Sequence, residues 1–162
     1  MKVIRCKQEL EVNSPAALES TEASSAWLSS MSDEGWRVLI DFHNWPNWIP
    51  GIQSVQQTDQ DSPARGTVLQ INSGRAAAIC SIDRWDPPSS LCFSIRQRYG
   101  EVAYCFTIHA SARDSQWLLS LELERSIRAW ARPVAFLLEW QLRRSGAQTA
   151  ANFISRMQPL PI

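Results

Sequence analysis

The sequence predicts an α+β domain in which an antiparallel sheet of about seven strands is covered by one long C-terminal helix. Three observations lead there. Apolar and polar residues alternate with period two over residues 3 to 12 and again in a regular series from 52 to 126, with turn chemistry at each joint. From about residue 131 the pattern changes to a helical repeat that lasts to about 157. Between the first strand and the later ones lies Asp41-Phe42-His43-Asn44-Trp45-Pro46-Asn47-Trp48-Ile49-Pro50-Gly51-Ile52, a tryptophan- and proline-rich segment that follows an amphipathic helical stretch.

The 162 residues suit a single domain that buries its own core, spanning 1–162 with an unusual segment at about 13–31. Lys plus Arg and Asp plus Glu both number 16, so no long-range field draws the chain to nucleic acid. No stretch approaches the ~18 apolar residues of a membrane span. Met1-Lys2-Val3-Ile4 leads into alternating charge rather than an apolar run, so no signal peptide is read. Cys6, Cys80, Cys92 and Cys105 lie far apart, without a Cys-x-x-Cys pair, and only His43 and His109 could join them. Free thiols, no metal, no cofactor and a cytoplasmic setting are expected.

In the first strand Ile4, Cys6, Leu10 and Val12 share a face that Gln8 interrupts, and Arg5, Lys7, Glu9 and Glu11 share the other. Ser14 and Pro15 suit a helix cap and first turn. Residues 19 to 30 are rich in Ser, Thr, Ala and Glu, and are compatible with an insertion or a second strand. Ser32-Asp33-Glu34 reads as a helix start, with Trp36, Leu39 and Ile40 at helical spacing behind it. Trp45 and Trp48, three apart, fall on one helical face. Pro46 suits the start of a short helix, and Pro50-Gly51 its end. As plugs these tryptophans close a core; as a gate they would control an apolar pocket.

Strands follow from Ile52 and at roughly 64–73, 76–85, 90–98, 102–111 and 116–126. The breaks are Asp59 to Pro63, Ser73-Gly74, Asp86-Pro87-Pro88, Tyr99-Gly100-Glu101 and Ala112 to Ser115. In the C-terminal helix Phe136, Trp140, Ala147, Ala150 or Ala151 and Ile154 run down one side, broadened by Leu138, Leu142, Thr149 and Phe153. Arg143, Arg144 and Arg156 face solvent. About 26 residues make a rod of roughly 40 Å, long enough to cross a curved sheet. Gly146 in its middle is unfavourable by about 1 kcal/mol against Ala, which points to a close packing contact. Trp130, just before the helix, is read as a plug.

Trp36-Arg37-Val38-Leu39, Asp41-Phe42, Asn44-Trp45-Pro46, Trp48 and Pro50-Gly51, together with Arg84-Trp85-Asp86-Pro87-Pro88 and Leu91, carry a resemblance over residues 32 to 157. The chain resembles the helix-grip fold of the START-like superfamily, also called SRPBCC, in its polyketide cyclase/dehydrase-type bacterial branch. The resemblance implies a curved antiparallel sheet wrapped around the long helix, with short helices after the first strand. It also implies an internal cavity for apolar or amphipathic ligands. About 20 residues intervene here between the first strand and the Trp-bearing helix, where the family usually has a direct connection.

The expected cavity-lining residues are Trp45, Trp48, Trp85, Phe93, Tyr104, Phe106, Trp117, Phe136 and Trp140. On 102–111 the inward face is Val102, Tyr104, Phe106 and Ile108. On 116–126 Trp117, Leu119, Leu121 and Leu123 share a face with Arg125; on 90–98 Leu91, Phe93, Ile95 and Gln97 do so. Arg96, Arg98, Glu122 and Glu124 then pair on the convex side. A register shifted by one would turn them inward and make an acid/base enzyme credible.

No catalytic constellation is evident. Phosphate-binding glycine loops and Gly-x-Ser-x-Gly are both missing. Tyr104 and His109 have opposite parity on one strand and cannot both point inward without a bulge. The leading expectation is therefore the binding or transport of a hydrophobic small molecule or lipid. Alternatives are a cyclase/dehydratase-like enzyme and a protein-interaction module, including a homodimer.

Overall fold

The computed structural model describes residues 2–13, 21–58, 62–74, 76–97, 100–111, 116–129, 133 and 135–157. Seven strands form a single antiparallel sheet: β1 (Lys2–Asn13), β2 (Ser54–Gln57), β3 (Val68–Asn72), β4 (Ala77–Asp86), β5 (Ser90–Gln97), β6 (Gly100–Ser111) and β7 (Gln116–Ile127). Their order across the sheet is β1-β7-β6-β5-β4-β3-β2, so the chain meanders from β2 to β7 and the first strand completes the far edge. Helix α1 (Thr21–Ile40) and a short 3-10 helix (Phe42–Asn47) lie between β1 and β2; α2 (Ala135–Arg156) closes the chain. No described helix is long and apolar enough to cross a membrane.

Alternation sets the two sides of the sheet. Val102, Tyr104, Phe106 and Ile108 of β6 are buried, as are Trp117, Leu119, Leu121, Leu123 and Arg125 of β7. On the convex side Arg5 reaches Glu124 at 2.7 Å, Lys7 reaches Glu122 at 3.9 Å, and Arg96 reaches Glu101 at 3.5 Å. The register therefore keeps Arg96, Glu122 and Glu124 outside, so the register shifted by one is not the one adopted. Between Ile82 and Arg84 the ladder slips by a residue. That bulge turns Trp85 toward the interior, where it meets Trp36 edge-on at 5.1 Å.

Four sequence expectations are corrected. Residues 21 to 30 are neither insertion nor strand; they are the first half of α1, whose buried stripe is Ser24, Leu28, Met31, Gly35 and Leu39. Small residues on that stripe hid its amphipathicity. Ser32 lies mid-helix, donating to the Leu28 carbonyl at 3.0 Å instead of capping. Pro46 falls inside the 3-10 helix, not at its start. On α2 the inward stripe is Ala135, Leu138, Leu142, Gly146, Thr149, Ala150 and Phe153. Phe136 and Trp140 stand on the outer side, 69% and 57% exposed. The two aromatics drew the sequence reading about a third of a turn off the true face.

The cysteine expectation is corrected in part. Cys92 and Cys105 face each other across β5 and β6 and are joined as a disulfide, with Cα atoms 4.1 Å apart. Their separation of 13 residues conceals a hairpin partnership that only the register reveals. Cys6 and Cys80 are free and buried. The expected helix cap at Ser14-Pro15, the Asp59-to-Asp61 part of the turn that ends at Pro63, Arg98 on the convex side, the turn at Ala112 to Ser115 and the plug at Trp130 lie outside the described residues.

Candidate functional site

The interior has two halves. One is filled by aromatic rings that follow from the Trp-Pro segment. Asn44 donates to the Asp41 carboxylate at 2.6 Å, and Asn47 donates to Asn44 at 2.8 Å, so the polar residues of the 3-10 helix bond along its outer side. Trp45 and Trp48 are thereby turned inward. Trp45 stacks on Phe93 with centroids 4.3 Å apart and donates its Nε1 hydrogen to the Leu39 carbonyl at 2.9 Å. Trp48 packs edge-on against Phe106 at 5.7 Å and Phe153 at 5.4 Å. Phe93 stacks in turn on Tyr104 at 5.0 Å.

Beyond Tyr104 the stack of rings ends. α2 comes close to the sheet at Gly146, where an added Cβ would lie 3.1 Å from Leu123 Cδ1 and 3.6 Å from Gln8 Cγ. This contact draws the helix toward β1 and β7 and leaves the neighbouring part of the sheet less covered. The result is an open cleft of about 420 Å³, within the size range of small-molecule sites. The sheet contributes Gln97, Val102, Tyr104 and Arg125. From α2 come Trp140, Gln141, Leu142, Arg144, Ser145 and Gln148, and the facing loops contribute Pro50, Gly51 and Ser73. Gly51 has φ +89°, a backbone conformation that lets the chain turn away after the 3-10 helix.

Arg125 is the one charged side chain buried among the described residues, 9% exposed. It occupies a row of partners across the sheet, Cys80, Ile95, Val102, Arg125 and Ile4, that is otherwise apolar. One Nη donates to Gln97 Oε1 at 3.4 Å, and its Nε has no partner. Burial pushes its pKa down. Burial also pushes the Tyr104 phenol up, against weaker opposing effects from its hydrogen bond with Ser145 and from the charge of Arg125. Tyr104 therefore stays protonated, a hydrogen-bond donor rather than a base. At the rim, the Arg144 guanidinium lies 5.4 Å from the Trp140 ring centre.

The structure brings only part of the expected set together. Tyr104 floors the cleft and Trp140 stands at its rim, while Phe136 projects to solvent one turn earlier on α2. Trp45, Trp48, Phe93, Phe106 and Trp117 are all buried in the packed core, and Trp85 is half-buried beneath Trp36. Arg125, Gln97, Ser145 and Gln148 went unassigned in the sequence, although the alternation of β7 had already placed Arg125 on the inner face. His43 and His109 are exposed. Among the described residues no three His, Cys, Asp or Glu side chains converge as metal ligands would. A broader concavity of about 610 Å³ on the convex side contains the disulfide and the ion pairs of Arg5 and Lys7, so its charges are already matched.

No curated protein matches the chain in sequence. Solved structures share its fold at low identity. The aromatase/cyclase Zhui from Streptomyces sp. R1128 is 13% identical with TM-score 0.65, over 96% of this chain and 94% of that one. A START superfamily protein from Mycobacterium smegmatis is 14% identical with TM-score 0.57, over 94% and 92%. Ara h 8.0201 is 15% identical with TM-score 0.54, over 95% and 99%. The family model described as polyketide cyclase / dehydrase and lipid transport matches residues 33–158. With the seven-stranded curved sheet and the C-terminal helix laid across it, the chain belongs to that family, within the START-like (SRPBCC) superfamily.

Proposed function

We propose that the protein binds, and carries without altering, a hydrophobic or amphipathic small molecule in the cleft between α2 and the sheet. One observation supports this above the others: the cleft is open to solvent, and Tyr104 on its floor stacks on Phe93 of the aromatic core. Tyr104 and Trp140 contact the ligand in this reading, and Trp45, Trp48, Phe93 and Phe106 form the wall behind them. Titration with dansyl-labelled undecanoate tests it. Saturable binding, competed by lipids extracted from the native source, is expected; no saturable signal with a folded protein rejects the reading.

A cyclase/dehydratase-like enzyme is the second reading, favoured by the family description and by a protonated phenol facing the cleft. Under it, Tyr104→Phe would abolish turnover while leaving ligand affinity nearly intact; under the carrier reading no ligand is chemically changed on incubation. Exposed Phe136, Leu137 and Trp140 favour a contact surface, which sedimentation would reveal as a homodimer. The cytoplasmic setting belongs to the same proposal. Cell fractionation should then recover the protein with the cytoplasmic proteins, and its recovery from an exported fraction would overturn that setting.

A further inference from the structure

We propose that Arg125 anchors the head group of an amphipathic carboxylate, whose apolar portion lies against Tyr104 and Trp140. The inference rests on the ligand-binding reading and gives the ligand its charge. Arg125 stands in a row whose other members are Ile4, Cys80, Ile95 and Val102. Its only hydrogen-bond partner among the described residues is the neutral amide oxygen of Gln97, at 3.4 Å. No carboxylate among those residues comes within ion-pair distance of it. The glutamates of its own strand, Glu122 and Glu124, point through the sheet to the convex side and are held there by Lys7 and Arg5.

A buried cation without a counter-charge is strongly unfavourable, and a fold has little structural reason to keep one in an apolar row. The cleft opens on this guanidinium, whose Nε–H is unpaired. A carboxylate entering there would receive hydrogen bonds from the two terminal Nη groups, the forked geometry that guanidinium offers to a planar anion, while the Nε stays buried behind them. One buried positive charge calls for one negative charge, so a monoanionic carboxylate matches better than a phosphate dianion. Arg144 at the rim, stacked near Trp140, would attract the same ligand as it approaches.

The test compares dansyl-labelled undecanoate with its methyl ester on the wild type and on Arg125→Met. In the wild type the acid should bind more tightly than the ester by roughly tenfold or more, as expected for a charged hydrogen-bonded pair. In Arg125→Met the two should bind within about twofold of each other, with ester affinity retained. The variant should also melt no lower than the wild type, because an unpaired buried charge has been replaced by an apolar chain of similar length. A marked fall in melting temperature would mean that Arg125 is structural and would overturn the proposal. Equal affinity for acid and ester in the wild type overturns it while leaving the carrier reading intact, whether or not the variant folds. Failure of both probes to bind wild-type protein removes the carrier reading and the anchor together.

Discussion

The two halves of the interior are made from the same sheet face, yet they differ in almost every physical respect. In the half beneath the 3-10 helix, Trp45, Trp48, Phe93, Phe106 and Phe153 pack ring against ring and are fully buried. Two residues further along β5, β6 and β7, Ile95 and Val102 give way at Arg125 to a buried charge beside an open cleft. The first half is stabilised by apolar burial and aromatic contacts. The second keeps a desolvated cation and a raised phenol, which a fold built for stability alone would replace with leucine. The difference separates the half that carries stability from the half proposed to hold a ligand.

The sharpest way to break the comparison is Trp45→Ala. Removing a fully buried indole together with its bond to Leu39 should destabilise the protein by about 3–5 kcal/mol, read by urea unfolding. A loss under about 1 kcal/mol would mean the packed half is not the stabilising one.

Alkaline pH probes the cleft half with an effect nearly as large. Burial pushes the Cys80 thiol from its ordinary 9.0 up to about 12, and Tyr104 is raised for the same reason. Because the folded state holds these protons more tightly, their stabilisation is complete below pH 9.0 and is lost as pH rises toward about 12. For Cys80 it is on the order of 4 kcal/mol. Chemical unfolding at intervals across that window should show the decline, and Cys80→Ala should reduce it; a flat profile would contradict the burial of the thiol.

Gly146→Val sits at the boundary between the halves. Its side chain would press on Leu123 and Cys6, lifting α2 at a cost of about 1–3 kcal/mol and widening the cleft. Faster probe entry at reduced stability is the expected pair of outcomes, measured by stopped-flow fluorescence and thermal melting. Trp140→Ala should be the mildest change. The ring is more than half exposed, so stability should move by no more than about 0.5 kcal/mol. Weakened probe binding is expected all the same, and unaltered affinity would take Trp140 out of the rim.

Much of the fold was legible because alternation and turn chemistry are local signals. Strands 90–98, 102–111 and 116–126 were placed close to β5, β6 and β7, with the right residues inward. The first half of α1 was not, since Ser24 on its buried face carries no hydrophobic signature. The site was harder still. The aromatics that looked like cavity walls turned out to pack on one another, because a sequence does not show whether large side chains leave space or fill it. The cleft comes from the lateral offset of α2 at Gly146, a tertiary feature; only the close contact there was anticipated. Arg125 was visible on the inner face, but its isolation from every described carboxylate needed the three-dimensional register. The Cys92–Cys105 pair needed it too.

The pairing of Lys2–Asn13 with Gln116–Ile127 has a consequence for biogenesis. During synthesis β1 must wait for β7 before its backbone finds a partner, and that wait covers the translation of every strand between them. Contacts so distant in sequence slow the search for the native topology and leave a bare hydrophobic edge exposed meanwhile. Refolding should therefore be slow for a molecule of this size, and most vulnerable to self-association before that last seam closes.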